Sequence, residues 1–275
     1  MGLDGKRSSN KDKMLFRAEA LRCNKYGFVY AKNTKVMSTS FYIWAINIDF
    51  PHLKAENIIW SDPGFRKKHK ISFFREYFPE ENDYIFTFVR DPYDRLISAF
   101  LHIFTQRFPS IKHIKEYMEK GDIRNRPEGD RLISMIKQIR NNHDLEKGIS
   151  FIEFIDYVTD KDYIPKGRIE SHWMAQSEIL DVNNFNFIGK FENSDDDIDF
   201  LYNKLNIRKE DRTIKCLNKS LTLKPKKGFF AKHHSRELQK NNLHRSLSMA
   251  NFFSEELKQK IKNKYKEDYQ NFGYD

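Results

Sequence analysis

Cysteine is scarce in this chain of 275 residues: Cys23 and Cys216 are the two present, in no CxxC pair and no zinc-ligand spacing. Neither a disulfide framework nor a structural zinc site is expected, and no metal is assigned. Long apolar runs are missing too. The longest uncharged stretch of interest, residues 36–48, is too short to cross a bilayer as a helix. The opening MGLDGKRSSNKDK has no apolar signal core, and Lys6 stands where a myristoylation motif needs Ser or Thr. A soluble, cytoplasmic chain without a transmembrane segment is expected. No GxxxxGK[ST] occurs, so a nucleoside triphosphatase lacks its main signature. No internal repeat and no Pro/Gly/Ser-rich linker divides the chain.

What the chain has in quantity is aromatic residues and positive charge. The 24 Phe and 13 Tyr supply a sizeable core, and a net charge of +10 suits an anionic partner such as a nucleotide, a nucleic acid, an acidic glycan or a membrane surface. Solubility alone is the competing explanation of that charge. The length fits a polar tail over residues 1–14 and a single domain over 15–275. The charged stretch at about 108–148 reads as a helical insertion in that domain, residues 56–60 as a further strand and residues 71–78 as an amphipathic helix.

Residues 83–99, DYIFTFVRDPYDRLISA, organise the rest. The run Tyr84–Val89 has the length and content of a buried strand. Arg90 falls at its end, and Asp91-Pro92 makes a helix start, with Asp as N-cap and Pro in the first turn. Leu96, Ile97 and Phe100 form the apolar face of that helix, with Arg95 and Ser98 on another. A strand end, a helix N-terminus, an Arg and a Ser can together hold a phosphate. The structural alternative is that Asp91 and Arg95 cap the helix and pair at i,i+4.

A similar order recurs earlier. Residues 26–31 (YGFVYA) read as a strand, 32–37 (KNTKVM) as a loop, and STSFYIWAINI from Ser38 as a helix. Backbone N–H groups at the helix start, the hydroxyls of Ser38, Thr39 and Ser40, and the charge of Lys35 form a candidate anion cradle. A plain N-cap cluster is the other reading of STS.

RDPYDRLISAF resembles the 3′-phosphate-binding segment of sulfotransferases that use PAPS (3′-phosphoadenosine 5′-phosphosulfate). The resemblance implies that Arg90 and Ser98 hold the 3′-phosphate. NTKVMSTSF resembles the 5′-phosphosulfate loop of carbohydrate sulfotransferases, with Thr34 in place of the usual proline and Met37 where a small residue is common. SHWMAQ followed by IGKFE at residues 171–192 is similar to sulfotransferase family 2, and YKEDYQNFGYD resembles the family's C-terminus. The basic LKPKKGFFAKHH is similar to a Lys-Gly-Phe loop that closes over the nucleotide, implying Lys227, Gly228 and Phe229; a surface loop is the alternative. The family implies an α/β fold that is P-loop-like, with a central, mostly parallel sheet flanked by helices on both faces. It also implies PAPS as donor and adenosine 3′,5′-bisphosphate as product.

The expected reaction is sulfuryl transfer from PAPS to a hydroxyl of a glycan or polysaccharide, and the charge of the chain points to an anionic one. A base takes the acceptor proton, and His69 is the first choice because it lies between the two phosphate motifs beside the basic run FRKKHK. His172 is the runner-up, with Glu170 behind it. Lys35 and the N–H groups at Ser38, Thr39 and Ser40 would stabilise the leaving phosphate. A degenerate P-loop-like nucleotide kinase and a basic nucleic-acid-binding protein are the alternatives; the chain carries no nucleic-acid-binding signature.

Overall fold

The computed structural model describes residues 19–53, 68, 73–74, 82–120, 125–165, 169–180, 185–214 and 226–275. His69, Cys216 and the expected strand at 56–60 lie outside these residues. The chain forms two compact units, each discontinuous in sequence: Met1–Asn33, Met37–Val89 and Ile179–Lys215 in one, Thr34–Val36, Arg90–Glu178 and Cys216–Asp275 in the other.

The first unit is an α/β layer. Its strands are β1 (Ala20–Cys23), β2 (Phe28–Ala31), β3 (Phe73–Phe74), β4 (Tyr84–Val89) and β5 (Phe187–Lys190), in the order β3-β1-β2-β4-β5. The three strands β2, β4 and β5 run parallel, with Phe28 opposite Tyr84 and Phe86 opposite Phe187. The other two pairings, β1 with β2 and β1 with β3, are antiparallel, so the sheet is mixed. Residues 71–78 were expected to be helical, yet Phe73 and Phe74 extend the sheet. Two adjacent aromatic residues favour a pleated edge over a helix turn.

Helix α1 (Ser38–Asp49) packs on the sheet through an aromatic cluster. The Phe28 and Trp44 rings stack 4.9 Å apart, Phe41 and Phe88 lie 4.7 Å apart, and Phe86 meets Phe28, Tyr30 and Phe41. Every residue of β2 is buried, as a strand covered on both faces requires. The helix Ser194–Lys204 adds Phe200 against Phe187 and Tyr202 against Trp44. Gly189 lies opposite Phe88, where a Cβ would come 2.6 Å from the Phe88 ring. That clash is the local reason for glycine in the IGKFE strand.

The second unit is mostly helical. Asp91 accepts from the Asp94 N–H and Pro92 opens α2 (Pro92–Phe100), as the sequence implied. A π-helix over Leu101–Arg107 follows without a break. Phe100, Phe104, Phe154, Trp173 and Phe252 form its core with the helix Phe151–Val158, whose start is fixed by a Ser150–Glu153 capping box. The C-terminal segment is two helices, Glu255–Lys264 and Lys266–Phe272, separated at Tyr265. The Tyr265 hydroxyl donates to the Trp173 carbonyl, so the break in the helix is tied to the core.

Candidate active site

Arg90 follows β4, where the sheet ladder has ended and its buried N–H and C=O need other partners. Gln176 supplies both: its Oε1 accepts from the Arg90 N–H at 3.0 Å and its Nε2 donates to the Arg90 carbonyl at 2.8 Å. Asp268, fully buried on the last helix, accepts in turn from the N–H groups of Gln176 at 2.8 Å and Ser177 at 2.7 Å. The C-terminal helix thus fixes the main chain of Arg90 through one amide.

Arg95 does a different job from the cap-and-pair role its spacing suggested. It is 1% exposed, and its guanidinium donates to the carbonyls of Thr34, Ser171 and Met174 at 3.1, 3.0 and 2.7 Å. The Thr34 hydroxyl also donates to the Ser171 carbonyl at 2.6 Å. Thr34, which replaces the family's proline, therefore helps pin the Lys35 loop to the Ser171–His172 segment. Lys35 itself is half-buried in a left-handed conformation with φ 67°. A non-glycine residue held there stores about 1–3 kcal/mol of backbone strain, a common feature of ligand-binding loops. Burial and the charges of Arg90 and Arg95 push its ammonium down to about 8. No carboxylate is among the groups that shift Lys35, whereas Asp268 acts on Arg95.

His172 belongs to the same cluster. Its Nδ1 is 2.8 Å from the Ile169 carbonyl, which can only accept, so Nδ1 carries the proton and Nε2 the lone pair. Burial first, and then the charge of Lys35, pushes its imidazolium down to about 3; the ring is neutral across the working range. His102, on the π-helix, stacks against it with centroids 6.2 Å apart and planes 22° apart. Burial and Lys35 likewise push His102 down to about 4. Sequence reasoning missed His102, because its position depends on the π-helix. Glu170 accepts from the Tyr163 hydroxyl and lies 3.9 Å from Arg131, a structural setting unlike that of a free base.

The remaining candidates are placed as follows. Ser98 is half-buried on α2, eight residues after Arg90. In the first unit, Ser38, Thr39 and Ser40 form the opening turn of α1. They do not act as a side-chain cap: left-handed Met37 holds the N-cap position without a side-chain hydrogen bond. The helix N-terminus thus keeps its first N–H groups uncapped by a side chain. In the second unit the 226–230 loop is shaped by Asn251, whose Nδ2 donates to the carbonyls of Lys226 and Gly228 at 2.9 and 2.8 Å. Gly228 has φ 123°, a conformation that favours glycine, and Phe229 is exposed. Lys227 is exposed.

The sequence model described as "Sulfotransferase family" matches residues 18–275. The chain belongs to this family. It is similar to carbohydrate sulfotransferase 11 of Rattus norvegicus and of Mus musculus, each 26% identical over 120 residues. That match covers 42% of this chain and 31% of each relative, so the chain spans about a third of the length of these curated relatives. No solved structure matches it. Among the described residues, no helix is long and apolar enough to cross a membrane.

Proposed function

We propose that this family member moves a sulfuryl group from PAPS to a hydroxyl of a glycan, and that its fold is P-loop-like in the way it presents its phosphate-binding loop. The observation that carries the reading is the cluster of Lys35, Arg90 and Arg95, in which burial and the two arginines hold Lys35 below the ordinary lysine value beside a neutral histidine. The chemistry of these residues fits a donor bearing a 3′-phosphate and a phosphosulfate: two cationic side chains besides the structural Arg95, one of them a depressed lysine that an anion would restore. Arg90 and Ser98 are assigned to the 3′-phosphate. Lys35, with the hydroxyls of Ser38, Thr39 and Ser40 that follow it in the chain, is assigned to the phosphosulfate. Lys227, Gly228 and Phe229 are assigned to the nucleotide's outer side.

His172 is the proposed base. Its Nε2 takes the acceptor proton as the acceptor oxygen bonds to sulfur, and the electron pair of the broken S–O bond stays on the leaving phosphate. Lys35 and the loop N–H groups stabilise that charge, which is greatest in the transition state. Burial and then the charge of Lys35 make His172 a weak base in the free site; the donor's negative charge offsets the second of these and lifts its basicity. Donor binding thereby switches the base on. His69 is the competing assignment, and the two are separated by comparing His69→Ala with His172→Ala at saturating PAPS. The variant of the true base loses about 10²-fold or more in kcat while still binding adenosine 3′,5′-bisphosphate. The acceptor is proposed to be an acidic polysaccharide, on the net charge of +10. Thermal stabilisation by adenosine 3′,5′-bisphosphate and not by Mg-ATP tests the donor; the reverse result would favour a kinase.

A further inference from the structure

A π-helix admits one extra residue per turn and so re-aims the side chains that follow α2; such segments are frequent at functional sites. Here it carries His102 onto the ring of His172, 6.2 Å away and nearly parallel. His102 Nδ1 lies 3.4 Å from the Gln106 amide oxygen, an acceptor, as His172 Nδ1 lies against the Ile169 carbonyl. Both rings then carry the proton on Nδ1 and leave Nε2 open. The charged groups acting on His172 are Lys35, His102 and Arg95; those acting on His102 are Lys35 and Arg107. All are cationic or become so, and no carboxylate is among them. Two imidazolium ions in this setting would repel each other and their surroundings, so the pair has room for one proton.

We infer that His102 is a positioning residue for His172: the stacked rings hold a single proton between them, and neutral His102 offers its ring face to the imidazolium that His172 becomes. The inference rests on His172 being the base. The balance of the step is simple. The acceptor O–H bond breaks and an N–H bond forms at His172 Nε2, the acceptor oxygen bonds to sulfur, and the bridging S–O bond breaks towards the leaving phosphate. The proton then passes from His172 to water. The ring separation is near the outer reach of a cation–ring attraction, about 6 Å, so the effect is modest and depends on a flat face at position 102.

The test uses His102→Ala, His102→Phe and His102→Arg in the full chain, beside His172→Ala, at saturating PAPS with the best acceptor of a glycan panel. His102→Ala should lower kcat about threefold to tenfold without weakening adenosine 3′,5′-bisphosphate, and His102→Phe, which keeps the flat face, should recover most of it. His102→Arg sets a fixed charge against the nascent imidazolium; it should be the least active and move the acidic limb of the kcat profile to lower pH. A second readout needs no acceptor. In the bisphosphate complex, the His172 and His102 ring signals should move together as the pair takes up one shared proton in the wild type, and the His172 signals should move through a full step of their own in His102→Phe. Wild-type kcat in His102→Ala, a Phe variant no better than Ala, or two rings that each titrate fully and independently in the wild type overturns the inference. A fully active His172→Ala overturns the base assignment instead, so the two failures are distinguishable.

Discussion

Lys35 offers a quantitative test of the anion site. Burial and the charges of Arg90 and Arg95 hold its ammonium at about 8, below the ordinary lysine value. It is therefore protonated below pH 8 and neutral above. Adenosine 3′,5′-bisphosphate, whose phosphates favour the charged form, must bind the protonated fraction. That fraction is about 0.9 at pH 7 and about 0.09 at pH 9, so the bisphosphate Kd should rise about tenfold between them, with proton uptake near one per site at the upper end. Stability without ligand should move the opposite way. A depressed lysine destabilises the fold while the ammonium is charged, so stability rises from pH 8 towards the ordinary lysine value, where the unfolded chain still holds a proton that the folded chain has lost. Calorimetry in buffers of different ionisation enthalpy measures the uptake. Lys35→Arg, which stays charged, separates this group from others that titrate nearby: its Kd should be nearly flat from pH 7 to 9. A flat wild-type profile, or an Arg variant with the same slope, would refute the reasoning.

Other expectations follow from the same contacts. Arg90→Ala should weaken bisphosphate binding at least tenfold by calorimetry, since one charge-assisted hydrogen bond is worth about 1.5–3 kcal/mol. Arg95→Met strands the part-buried carbonyls of Thr34, Ser171 and Met174 and should cost about 3–5 kcal/mol in urea unfolding; a loss under about 1 kcal/mol would contradict its role as a tie. Gly189→Ala puts a Cβ 2.6 Å from the Phe88 ring and should cost about 1–3 kcal/mol by the same assay.

Much of the frame was legible because local chemistry and tertiary structure agree there. Tyr84–Val89 is the strand read from its apolar run, and Asp91-Pro92 starts α2 as its capping chemistry dictates. What was hidden depends on contacts distant in sequence. Arg95 read as an i,i+4 partner of Asp91, yet its partners at Thr34, Ser171 and Met174 are brought in only by folding. The Gln176 clamp needs Asp268, 92 residues away. His102 had no sequence signal, because the π-helix that places it leaves no mark in apolar periodicity. Phe73–Phe74 was misread because an amphipathic helix and an edge strand share short aromatic patterns.

The central claim is that an anion-loaded Lys35 cluster lets His172 draw a proton from a glycan hydroxyl. Transfer of labelled sulfate from PAPS to acidic and neutral polysaccharides, by the wild type and His172→Ala at saturating donor, tests it most directly. Label should enter the acidic polysaccharide in a salt-sensitive manner, and the folded His172→Ala chain should lose about 10²-fold or more of that rate. No transfer to any glycan, or a His172→Ala variant as fast as the wild type, would contradict the account.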